Sequence, residues 1–136
     1  MHTFMKDYTY KMNKYGLNVF ADNNFIINKG EVCINYKSKP SLLNITKDIR
    51  QNGLRGPILL RFPHIIKKQI KNLYNYFNYA IKENNYKGSF NAVFPLKVNQ
   101  LPNVVKAIIT EGKSYNYGLE AGSKAELILA MSKTNH

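Results

Sequence analysis

The chain reads as an α/β protein built on a parallel sheet, and three observations carry that reading. From residue 58 onward, compact apolar runs alternate with stretches whose apolar residues recur at three-and-four spacing. Glycine and proline fence each run. At 136 residues, with 44% of them hydrophobic, the chain has the size and composition of one globular domain with a modest core.

The elements follow in order. Residues 17–36 read as two short strands about a turn. Val19, Phe20 and Phe25 to Ile27 supply the apolar positions, Asp22-Asn23-Asn24 and Asn28-Lys29-Gly30 the turns, and Val32 to Tyr36 resumes the strand. A helix is expected between Pro40 and Gly56 on Leu42, Leu43, Ile45 and Ile49, stopped at Gly53. Ile58 to Phe62, bounded by Gly56-Pro57 and Pro63, has the look of a buried parallel strand. Ile66, Ile70, Leu73, Phe77 and Ala80-Ile81 then mark one face of a helix, with lysines and asparagines opposite, and Gly88 closes that unit. Ser89 to Leu96 is a second strand, with Pro95 near its end because a proline cannot donate to a ladder. A helix follows from Pro102, suited to a first helical turn, to Gly112 as its C-terminal cap. Tyr117 to Ala121 is a third strand. Ser123-Lys124-Ala125-Glu126 is a capping box opening a last helix to about Ser132.

The order is a β-rich leader, a helix and three β-α units, which implies right-handed crossovers. Three parallel strands cannot close a barrel, and an eight-fold β/α barrel needs ~250 residues. The sequence is either a small open sheet or the front part of something larger, and with nothing resembling a finishing cap after the last helix the second is expected.

Net charge is +12, from 20 Lys+Arg against 8 Asp+Glu, which brings nucleic acid into consideration. The charge is spread along the chain, and only Lys67-Lys68 with Lys71 cluster. A generally basic surface fits better than a phosphate-tracking stripe. Cys33 is the one cysteine, which excludes an internal disulfide and a cysteine-based zinc site. It reads as a small half-buried strand residue. Met1 to Tyr15 alternates polar and aromatic residues, resembling neither a signal peptide nor a membrane span, so a cytoplasmic protein is expected.

Among candidate chemical groups Lys97 stands first. It follows the second strand, at the edge of an α/β sheet where ligands usually bind. An amine there is a useful nucleophile when its surroundings favour the free base. Glu120 falls in the third strand, and if the two strands are neighbours both groups reach one end of the sheet. Val93, Pro95 and Lys97 share one face by alternation, as do Gly118 and Glu120. The pair reads either as a carboxylate orienting a catalytic amine or as a simple ion pair. His64 has the default reading of a packed or solvated residue, His2 and His136 are terminal, and no histidine pair has metal-ligand spacing. No glycine-rich phosphate loop is present. Tyr74, Tyr76 and Tyr79 look like a helix surface and its core edge.

Three blocks taken together resemble a known family. They are Leu60-Arg61-Phe62-Pro63, Phe94-Pro95-Leu96-Lys97-Val98-Asn99-Gln100, and the ten residues from Gly118-Leu119-Glu120-Ala121-Gly122 through Ser123-Lys124-Ala125-Glu126-Leu127. In this order and spacing they are similar to the biosynthetic arginine decarboxylases of bacteria and plants. Phe20-Ala21-Asp22-Asn23-Asn24-Phe25-Ile26-Ile27-Asn28 is similar to that family's entry hairpin, with Phe20 where tryptophan is usual. The likeness runs from about Leu17 onward.

The resemblance implies a pyridoxal-phosphate enzyme that converts L-arginine to agmatine and carbon dioxide, on a route to putrescine and spermidine. It implies that this chain is the first part of a (β/α)8 barrel that binds the cofactor, with residues 1–39 a β-rich leader and 40–136 the partial barrel domain. Lys97 would hold the cofactor covalently and Glu120 would lie beside it. Mg2+ and a homo-oligomeric state at full length are also implied. The family is several times longer, and the phosphate-binding glycine turn, the acid meeting the pyridine nitrogen, the ring-stacking histidine and a cysteine-bearing segment from across a dimer interface would lie beyond His136. The chain alone is accordingly expected to be inactive. Other readings are a related barrel decarboxylase acting on ornithine, diaminopimelate or carboxynorspermidine, a small basic nucleic-acid-binding protein, and a non-catalytic fragment that associates with a complementary piece.

Overall fold

The computed structural model describes residues 9–134. Met1 to Asp7 and Tyr8, like His136, lie outside them, so the reading of the extreme N-terminus and of His2 and His136 falls outside the described residues. The chain is a mixed α/β fold in two compact units that divide between Leu60 and Arg61. The sequence reading divides leader from barrel at 39/40 instead. The difference comes from one helix, α1 (Leu42–Gln51), which packs on the leader's second strand.

In the first unit, β1 (Phe25–Asn28) and β2 (Glu31–Ile34) pair antiparallel, with Phe25 opposite Ile34 and Asn28 opposite Glu31. Lys29 and Gly30 join them with φ of 48° and 82°. Two positive φ values are what a two-residue hairpin turn of the right twist demands, and glycine adopts them without strain. Leu17, Ala21 and Ile27 form a small core with Met12, Phe25 and Val32 against it. The predicted hairpin thus begins later than the sequence suggested. Leu17–Phe20 is a single helical turn, and Val19 and Phe20 are exposed, because only Leu17 of that turn reaches the core. Ser41 caps α1 by accepting a hydrogen bond from the Asn44 N–H at 3.3 Å. Gly53, φ 90°, ends it: its N–H donates to the Arg50 carbonyl and that of Leu54 to the Ile49 carbonyl, the paired bonds of a Schellman motif.

Ile58 to Phe62 does not form the expected strand: residues 57–62 make no ladder, and Leu59 is 71% exposed. An apolar run becomes a strand only when a neighbouring strand satisfies its amides and carbonyls.

The second unit opens with α2 (Pro63–Glu83), whose Pro63 occupies the first turn. The expected stripe is covered in its first half, where Ile70 and Tyr74 are buried, whereas Phe77 further along is 46% exposed. Asn85, φ 50°, takes the place of a terminating glycine, with Tyr86 donating to the Ile81 carbonyl. The helix therefore stops before Gly88. β3 (Val93–Pro95) and β4 (Gly118–Glu120) pair in parallel with Val93, Phe94 and Pro95 opposite Gly118, Leu119 and Glu120. Pro95 is the last residue of its strand, as expected. Between them runs α3 (Pro102–Gly112), and α4 (Lys124–Thr134) follows β4. Among the described residues the parallel sheet has two strands, not three.

Ile70, Tyr74 and Ile108 centre the core of this unit, and Phe94 and Leu119 pack against it. That register pair marks the helix-covered face of the sheet. By alternation, Val93 and Pro95 with Gly118 and Glu120 belong to the other face, where Val93 is 54% exposed. Gly112 is not a left-handed cap. Its φ of −78° is helical, and the left-handed residue is Asn116, φ 53°. Glycine is required because a Cβ there would lie 2.7 Å from the Tyr117 Cβ.

Candidate functional site

Lys97 lies just past the carboxyl end of β3. It is the middle residue of a short 3-10 turn, Leu96–Val98, so it has left the pleat, and the strand alternation expected to place it does not extend that far. The turn is anchored from below by Leu96, which is fully buried at 0% exposure. Lys97 itself is exposed. On its far side the Asn99 Oδ1 accepts a hydrogen bond from the Leu101 N–H at 3.1 Å, fixing the entry into α3.

Glu120 is the last residue of β4 and pairs in register with Pro95, two residues before Lys97. Both predicted residues therefore occupy the same, carboxyl-terminal end of the parallel pair. The simple ion pair does not form: Lys97 makes no salt bridge among the described residues. The Glu120 carboxylate instead turns toward the chain that follows β4, where a Cβ on Gly122 would lie 3.5 Å from its Oε1 and 3.6 Å from Oε2 of Glu126.

The capping box is present with one change of partner. The Glu126 N–H donates to Ser123 Oγ at 3.2 Å, while the Glu126 Oε2 accepts from the Gly122 N–H at 2.7 Å, one residue earlier than the usual reciprocal bond. Oε1 of the same carboxylate accepts from Gln100 Nε2 at 3.3 Å. Sequence reading found the Ser-x-x-Glu pattern and the block containing Gln100. The link between them spans 26 residues and has no local signature.

The tyrosines separate as helix surface and core edge. Tyr76 and Tyr79 are exposed, whereas Tyr74 is 4% exposed and its hydroxyl accepts from the Ala92 N–H at 3.1 Å. Its ring stacks on Tyr115 with centroids 4.8 Å apart and meets Tyr117 edge-on at 6.2 Å. Burial, reinforced by Tyr74, pushes the Tyr117 hydroxyl above its ordinary pKa of 10.0. His64 packs edge-on to Phe62, and Cys33 is a buried free thiol, as its strand position suggested. Lys67 of the basic cluster pairs with Glu111 at 2.9 Å.

An apolar groove of about 430 Å3 runs between α2 and α3, lined by Phe62, Ile66, Phe94, Val104 and Ile108 among others. Neither Lys97 nor Glu120 lines it. Among the described residues no three His, Cys, Asp or Glu side chains cluster to hold a metal ion, and nothing there supports the Mg2+ that the resemblance implies. No helix among them is long and apolar enough to cross a membrane.

No family profile matches the sequence. Individual proteins do. The biosynthetic arginine decarboxylase of Pelobacter propionicus is 39% identical over 127 residues, covering 90% of this chain and 19% of its own. That of Prochlorococcus marinus strain SARG is 36% identical over 126 residues, with 89% and 19% covered. The crystal structure of the biosynthetic arginine decarboxylase SpeA from Campylobacter jejuni superposes with a TM-score of 0.84 at 60% identity, over 89% of this chain and 20% of that one. The chain spans about a fifth of the length of these relatives. Sequence and fold agree, along nearly the whole length of this chain, with one part of the biosynthetic arginine decarboxylases.

Proposed function

We propose that this chain supplies the cofactor-bearing part of a pyridoxal-phosphate-dependent arginine decarboxylase, which converts L-arginine to agmatine and carbon dioxide. Lys97 is the covalent anchor and Glu120 its acidic neighbour. In this reading β3 and β4 are consecutive strands of a (β/α)8 barrel, with residues 1–39 the leader and 40–136 the barrel portion. Arginine as substrate follows from the names of the relatives. A homo-oligomer belongs to the same reading of the whole enzyme.

One observation carries the proposal: an exposed lysine follows the carboxyl end of a parallel strand whose neighbour ends in a glutamate. Ligands of parallel α/β folds gather at that edge, where the loops leave the strands. The residues fit the covalent part of the cofactor. Among the described residues Lys97 carries no salt bridge, and the buried Leu96 beside it fixes its backbone. When bound, pyridoxal phosphate supplies an aldehyde that condenses with amines and a protonated ring that accepts the electrons released as carbon dioxide leaves. The amine at Lys97 Nζ attacks only as the free base, so its proton must first pass to solvent or to a nearby acceptor. Glu120 ends the neighbouring strand at the same rim, where it would serve to orient charge. The open face carrying Val93, Pro95, Gly118 and Glu120 is the one that would point into the barrel.

The test is reductive trapping. The chain is incubated with pyridoxal phosphate, reduced with borohydride, digested and mapped. The label is expected to concentrate on the peptide containing Lys97 and to leave it in K97A. Label distributed over the exposed lysines in both proteins would refute the assignment.

A further inference from the structure

The Lys97 turn is tied to its neighbouring β-α unit through one carboxylate, and the structure assigns Glu126 as a positioning residue for Lys97. This inference rests on the role proposed for Lys97, but its geometry stands apart from any cofactor. Oε1 of Glu126 accepts from Gln100 Nε2 at 3.3 Å, and Oε2 accepts from the Gly122 N–H at 2.7 Å. Gln100 lies three residues after Lys97, and Gly122 two after Glu120. A single side chain thus joins the loop beyond the first predicted site residue to the loop beyond the second.

The arrangement closes a ring. On one side, the ladder sets Pro95 against Glu120. On the other, Gln100 is held to Glu126, whose own N–H is fixed by Ser123 Oγ at 3.2 Å. The 3-10 turn with Lys97 spans the gap between these two cross-connections. Strand pleating cannot orient Lys97, because the chain has already left the strand. Leu96 anchors the turn at its start, and Gln100–Glu126 is the bond that anchors its end to β4 and α4. A carboxylate suits this task, since it accepts two bonds at once and hydrogen bonds to a charged acceptor are the stronger kind.

The roles of the two side chains can be exchanged. In Q100E/E126Q, the amide nitrogen at 126 can donate to a carboxylate at 100 while its carbonyl still accepts from the Gly122 N–H. This variant separates positioning from a general need for Glu126.

Two measurements are made on the wild-type chain, Q100A, E126A and Q100E/E126Q, with circular dichroism as the check on folding. Amide exchange across residues 97–101 is expected to accelerate roughly five- to tenfold in Q100A and E126A, the scale of losing one solvent-exposed hydrogen bond. It should return toward the wild-type rate in the exchanged pair. The share of borohydride-trapped pyridoxal label at Lys97 should fall and recover in parallel. Q100A leaves the capping box of α4 intact, so it decides the matter if E126A does not fold. Unchanged exchange in a folded Q100A, or no recovery in the exchanged pair, would overturn the role of Glu126. If the wild-type chain itself gathers no label at Lys97, the cofactor proposal fails while the exchange rates still decide the positioning role.

Discussion

Replacing Gly112 by alanine sets two effects of known size against each other. Gly112 is the last residue of α3 and has helical dihedrals, φ −78° and ψ −18°. Backbone preference alone would therefore favour alanine, by up to about 1 kcal/mol. The packing says otherwise. An added Cβ would sit 2.7 Å from the Tyr117 Cβ, 3.1 Å from its Cδ1 and 3.3 Å from its Cγ. The nearest of these atoms is bonded directly to the backbone, so rotating the ring does not relieve the clash. Tyr117 is also tied to the same spot, its N–H donating to the Gly112 carbonyl at 3.1 Å. Forcing a methyl group into a closed contact costs about 1–3 kcal/mol. Taking about 2 kcal/mol from the middle of that range and subtracting up to about 1 kcal/mol of helical gain leaves an expected net loss of about 1–2 kcal/mol. The chain has 10 tyrosines and no tryptophan, so urea unfolding can be followed by tyrosine emission alone. At a slope of about 1–3 kcal/mol per molar urea, the midpoint should fall by roughly 0.5–1 M. An unchanged or raised midpoint would mean that Tyr117 yields freely and that close approach is not why glycine stands at 112.

Other perturbations probe the same unit. Tyr74→Phe removes the hydroxyl that accepts from the Ala92 N–H; thermal melting should report a loss of about 1–3 kcal/mol from leaving that donor unmet. Leu96→Ala empties a fully buried site directly beneath Lys97 and should cost about 2–5 kcal/mol in urea unfolding, with a reduced share of trapped label at position 97. Ser123→Ala removes the cap at the start of α4 and should cost about 0.5–2 kcal/mol, without changing the response of other elements. The raised pKa of Tyr117 also sets a pH dependence: its contribution is complete below the ordinary value of 10.0 and is lost as pH rises through the higher folded value, since the unfolded hydroxyl ionises first. The urea midpoint should accordingly decline above pH 10, and less so in Tyr117→Phe.

What was legible in the sequence was whatever a short stretch determines by itself. The stripe that starts at Ile66, Pro63 and Pro102 in first turns, Ser123 as a cap, and Gly53 as a stop all act within a few residues of their own position. Pro95 could be placed at a strand end because it lacks the amide a strand interior would need. Ile58 to Phe62 shows the opposite case. Its pattern suits a buried strand, but a strand is a relation between two segments, and the pattern does not contain the second one. Val19 and Phe20 misled in a similar way, since apolar character says that a residue can be buried and not that a core is within reach. Gly112 was noticed for a sound reason that does not apply to it. The residue that makes it indispensable, Tyr117, lies just before β4 and is folded back onto Gly112 by the turn at Asn116.

The same division runs through the candidate site. The identities and order of Lys97 and Glu120 are local, whereas the parallel pairing that brings them to one end of the sheet joins two separate segments. The orientation of Lys97 is not local either. On a strand, the pleat would fix the direction of each side chain, and the choice would be only between two faces. A lysine placed in a 3-10 turn beyond the strand is released from that rule, so its direction must be set by contacts on either side. Leu96 provides the first from the core of the unit, and Gln100 provides the second through Glu126. The Gly118-to-Leu127 block holds both halves of that arrangement: the glutamate that ends β4, and the glutamate that reaches back from the first turn of α4 to the loop beyond Lys97.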